Sequence, residues 1–78
     1  MKTTPERHKI CAEGAKLAAE SLEAGARDAR FTAWERIHYA KLARMERLFQ
    51  AYHEEAAERT AQGLEVKDWI DWLQARGI

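Results

Sequence analysis

One cysteine, one proline and four glycines in 78 residues rule out several kinds of protein at once. Cys11 has no second cysteine to pair with, so an intrachain disulfide framework is excluded, and a lone thiol fits a reducing compartment. The expected location is therefore cytoplasmic, with Cys11 a small residue on a helix face. Scarce proline and glycine argue against a turn-rich β protein and against a low-complexity chain. Net charge is absent too: 13 Lys and Arg balance 13 Asp and Glu. Nothing at the level of the whole chain calls for a polyanion or an anionic membrane. No apolar run approaches the roughly 18 residues of a spanning helix, and no secretory leader is read. Internal repeats are missing as well.

Catalytic patterns are equally scarce. The glycines at 14, 25, 63 and 77 are too dispersed for a phosphate loop. No serine or threonine sits beside a histidine in a recognisable nucleophile turn. His53-Glu54-Glu55-Ala56-Ala57 opens like a zinc-protease helix and fails at Ala57, where the second histidine is required. His8 and Cys11 are three residues apart, but two soft ligands do not make a zinc site. The preferred reading there is an exposed histidine beside a small buried thiol. Glu35-Arg36-Ile37-His38 has the Glu-x-x-His spacing of carboxylate-bridged di-iron bundles. That metal-binding bundle, with Glu20 or Glu23 as further carboxylates, is the remote alternative, because Glu35 has a competing role at a helix cap. Neither enzyme activity nor a cofactor is expected.

What the chain does have is helix-forming residues, chiefly Ala, Glu, Arg, Lys and Leu. Thr4-Pro5-Glu6 reads as a helix start, with Thr4 as cap and proline in the first turn. This helix is expected over about 5–24, ending at Gly25, with Ile10, Gly14, Leu17, Ala18 and Ser21 inward and Leu22 at the edge. Thr32-Ala33-Trp34-Glu35 matches the capping box. Nothing interrupts the helix that follows until Gly63, so it is expected over about 33–62, far above the usual mean of about 11–12 residues. Its apolar stripe is Trp34, Ile37, Met45, Leu48, Phe49, Tyr52 and Ala56, with His38 and Lys41 inside it. A flatter face carries Ala33, Ala40, Arg44, Arg47 and Ala51, while Tyr39, Ala43 and Gln50 lie away from the stripe. A third helix is expected over about 65–76, burying Val66, Trp69, Ile70 and Leu73, with Trp72 at an exposed edge.

The expected fold is therefore all-α, one domain over 1–78, with the long central helix in an antiparallel hairpin. The first helix would cover the first two-thirds of the second, and the third would fold back on the last third. So thin a core invites self-association, so a homodimeric helical bundle is expected. Charge is also uneven: residues 1–48 carry ten Lys and Arg against seven Asp and Glu, and residues 49–78 carry three against six. Opposed halves of that kind can pair head to tail.

These features favour a non-catalytic protein-interaction module, a small inhibitor or accessory protein of phage or plasmid type that occludes a partner's surface. Arg36, Tyr39, Lys41, Arg44, Arg47 and Trp72 are the expected contact residues, since Arg and aromatic anchors dominate such interfaces. The alternative is a dimeric nucleic-acid-associated protein tracking phosphates with Arg27, Arg30, Arg36, Lys41, Arg44 and Arg47. Membrane partners are not expected.

Overall fold

A computed structural model describes residues 4–78 and shows three helices and no strands among them. These are α1 (Pro5–Arg27), α2 (Ala33–Ala61) and α3 (Trp69–Ala75). The described chain is elongated, 47 × 25 × 17 Å. No helix is long and apolar enough to cross a membrane.

Local chemistry sets the helix ends. The Thr4 hydroxyl accepts from the Arg7 backbone N–H, and Pro5 opens the helix. At the start of α2 the capping box is complete: Thr32 Oγ1 accepts from the Glu35 N–H at 3.1 Å, and Glu35 Oε1 accepts from the Thr32 N–H at 2.9 Å. Those bonds hold the Glu35 carboxyl below its usual pKa. Asp28 clamps the intervening turn, accepting from the backbone and guanidinium of Arg30. α2 runs unbroken for 29 residues, roughly 44 Å. It stops where Gly63 takes a φ of 74°, a conformation that costs other residues a Cβ clash. Asp68 caps α3 through the Asp71 N–H. α3 therefore begins at Trp69 and not near residue 65, because residues 62–68 are spent tying the chain back to α2. Tyr52 donates its hydroxyl to the Lys67 carbonyl, and Arg59 Nε donates to the Glu65 carbonyl.

The inward face of α1 is not the one its large apolar residues suggest. His8, Ala12, Ala15 and Ala19 are buried, whereas Ile10 is 71% and Leu17 57% exposed. The two sets differ by two residues in phase, which is about 200° on a helix and so the opposite side. On α2 the residues in contact with α1 include buried Ala43 and Ala57 and half-buried Tyr39 and Gln50. These belong to the side opposite the expected stripe. Small side chains explain the choice, since they let two helix backbones approach closely and gain dispersion contacts along their length. Gly25 lies inside α1, not at its end. A Cβ there would sit 3.1 Å from Tyr39 Cδ2, so glycine gives the Tyr39 ring its seat. Tyr39 also meets Phe31 edge-on.

α1 is not confined to the first two-thirds of α2. Its first turns reach the far end, where His8 Nδ1 and His53 Nδ1 lie 2.9 Å apart. α3 overlaps α1 along the length of α2 and uses other residues: Trp69 packs on Phe49 and Tyr52, and Trp72 packs edge-on to Tyr52. The two shorter helices therefore sit on different faces of α2 and do not share an axis. His8 is buried and Cys11 exposed, the reverse of the expected pairing. The histidines hold together with one Nδ1–H donating to the other ring's free Nδ1, an arrangement that a second proton abolishes. Partial burial and the neighbouring His8 lower the His53 pKa.

A pH dependence follows. The unfolded chain takes up this proton at a higher pH than the folded one, so stability is complete above about 6.5. It is lost as pH falls through the lowered folded value. The thermal midpoint is expected to be lower at pH 5 than at pH 7.5, and the difference to shrink in a His8→Leu/His53→Leu variant. An equal drop in that variant would place the proton elsewhere.

Candidate functional site

The outward side of α2 is the most unusual surface of the molecule. Trp34, Ile37, Lys41 and Met45 recur at three- and four-residue spacing and so share one face. That face points away from α1: Trp34 is 72% exposed, and Ile37 and Met45 are each more than half exposed. His38 stacks flat on Trp34, with ring centroids 5.3 Å apart and planes within 6°. Toward the C-terminus the stripe passes beneath α3, where Phe49 and Tyr52 meet Trp69. The stripe expected to form the core is thus covered only over its last third. Beside it runs the flatter face, on which Ala33, Ala40, Arg44 and Ala51 are all exposed.

The interior offers little in exchange. Among the described residues the buried apolar set is six alanines and Trp72, and no large side chain is fully buried. The accessible surface is 5792 Å². A monomer of 9.0 kDa typically exposes roughly 4,850 Å², so the excess is about 900 Å².

The expected contact residues divide in two. Lys41 and Arg44 are exposed, and no carboxylate pairs with either among the described residues. Arg36 is half-buried, its Nε enclosed without a hydrogen-bond partner among the described residues. Tyr39 is engaged by Gly25 and Phe31. Arg47 is bound to Glu23 through two nitrogens at 3.0 and 2.7 Å, and to Gln50 through a third. That pairing lowers the Glu23 pKa. Trp72 is no exposed edge: it is 4% exposed, stacked on Trp69, with its indole N–H donated to Glu55 and the Arg76 guanidinium 4.0 Å above the ring. Its neighbours explain the correction, since α3 lies against α2 with Trp72 edge-on to Tyr52 and bonded to Glu55, partners on another helix. The expected basic row is broken up in the same way, with Arg47 held by Glu23 and Arg30 by Asp28.

Sequence reasoning missed the exposure of Ile70 on α3, which it placed inside. No local signal gives this, because the side of α3 that faces α2 is set by the contacts of Trp69 and Trp72 with Phe49, Tyr52 and Glu55. Glu35 of the Glu-x-x-His pattern is occupied by the cap, and no group of three His, Cys, Asp or Glu among the described residues is placed to share a metal ion. The chain matches no protein-family model, no curated protein and no solved structure.

Proposed function

We propose that this protein is a non-catalytic protein-binding module that acts by occluding a partner's surface. The observation that carries the reading is the flat side of α2, where exposed Ala33, Ala40 and Ala51 flank Arg44, which no carboxylate pairs with among the described residues. Short side chains let a partner lie close to the helix, and an arginine without an internal carboxylate is free to take one from outside. The reading treats α1 and α2 as an antiparallel hairpin, supported by the meeting of His8 with His53 and of Gly25 with Tyr39. A hairpin of that kind is a rigid mount, which lowers the entropy lost on binding. A cytoplasmic setting belongs to the same proposal and rests on the unpaired thiol of Cys11.

The test is affinity capture from the native host with the wild-type chain and with Arg44→Glu and Ala40→Glu variants of unchanged helicity. A stoichiometric protein recovered with the wild type and lost with both variants is the expected result. Recovery of nucleic acid, with affinity falling steeply between low and moderate salt, would replace this reading with phosphate binding through Lys41 and Arg44. Equal capture by all three chains would remove the α2 face from consideration.

A further inference from the structure

We infer that the open stretch of the α2 stripe is covered by a second copy of this chain, whose α3 lies across it. A stable interface of standard size takes roughly 800 Å² from each partner, and a contact made twice doubles what one stretch supplies; the apolar part of that stretch is Trp34, Ile37 and Met45, each more than half exposed. The stretch from Trp34 to Met45 is 12 residues, roughly 18 Å, which accommodates the seven-residue α3 and the turn before it. α3 is raised on the C-terminal third of α2, so each chain is a rod with a step at one end. Two rods related by a two-fold axis and running in opposite directions place each step over the other's bare stripe. Both contacts are then the same contact made twice, as closed two-fold symmetry requires.

Charge decides how the rods are offset. Pairing the two open stretches about their middle would bring Lys41 against Lys41 of the second copy, an unfavourable like-charge contact. Shifting each rod until α3 covers the stripe brings an acidic element there instead. α3 presents Ile70, 58% exposed, with Asp71 beside it, and no cation pairs with Asp71 among the described residues. Ile70 then meets Ile37 and Met45 of the other copy, and Asp71 meets its Lys41. Arg44, on the flat side, stays outside the contact, so the inference stands apart from the occlusion reading.

Sedimentation equilibrium of the full chain is expected to show a dimer at tens of micromolar. Lys41→Asp and Asp71→Lys should each weaken it by roughly tenfold or more, and the double charge swap should restore it to within about threefold. Circular dichroism confirms that the variants fold. The wild type supplies an independent readout: zero-length carbodiimide coupling of mixed light and heavy-isotope chains should join Lys41 of one copy to Asp71 of the other. A monomer at all concentrations would overturn the inference, and would leave partner capture through Arg44 unaffected. A dimer that survives Met45→Asp, or one that the charge swap fails to restore, would overturn it equally.

Discussion

Ala19→Leu is expected to destabilise the protein by about 3 kcal/mol, the upper part of the usual range for forcing extra methylenes into a tight contact. Ala19 is wholly buried between α1 and α2, at an interface built of alanines. Added bulk there must push two backbones apart along a contact that runs from Tyr39 to His53, and every alanine pairing along it loosens together. A core this small rarely supplies more than about 3–5 kcal/mol, so the variant should be substantially unfolded at room temperature. Leu17→Ala makes the contrast. It removes a large apolar side chain from the same helix, but from its exposed side, and should change stability by no more than about 0.5 kcal/mol. Urea unfolding followed by circular dichroism measures both. If Leu17→Ala proved the more damaging, α1 would be packed by its other face and the arrangement described above would be wrong.

Trp72→Ala should cost about 3–5 kcal/mol locally, and the loss should fall on one element. Trp72 is the only large buried side chain of the core among the described residues, and it connects α3 to α2 through its edge-on packing on Tyr52 and its bond to Glu55. It stacks on Trp69, donates its indole N–H to Glu55 and lies beneath the Arg76 guanidinium. α3 has only seven residues, too few to hold its helix unaided. Without Trp72 it should melt while α1 and α2 persist. Amide hydrogen exchange should show protection lost over 69–75 and kept at Ala43 and Ala57, the pattern of a sub-global opening. Trp72→Phe keeps the stacking and loses the bond to Glu55, so it should retain most of the protection. Uniform loss across all three helices in Trp72→Ala would mean that α3 is integral to the packing of α1 on α2 and not an attachment to it.

Both predictions rest on one departure between pattern and packing. Reading Ile10, Leu17, Trp34, Ile37 and Met45 as the core follows from the free energy of burying large apolar side chains. That sum leaves out how close two backbones can come. Ala12, Ala15 and Ala19 each bury little area, yet together they allow a long, close helix contact that a Leu- or Ile-lined face would hold further apart. The same oversight displaced the candidate site. Tyr39 and Arg47, expected on a free surface, are engaged by Gly25 and Glu23, residues of another helix and distant in sequence. Trp72, expected at an edge, is buried because α3 turns it against Tyr52 and Glu55 of α2.

By itself the sequence determined everything that depends on neighbours three or four residues away. That covers the all-helical class, the caps at Thr4 and Thr32, the unbroken run of α2 and its end at Gly63. Such interactions are made within one turn of chain, so the residues that make them can be read in order. Only the tertiary structure decided which side of each helix is inside. That choice weighs one helix's surface against another's, and here close approach through alanine outweighed the larger hydrophobic face, leaving that face outward and Lys41 and Arg44 open beside it.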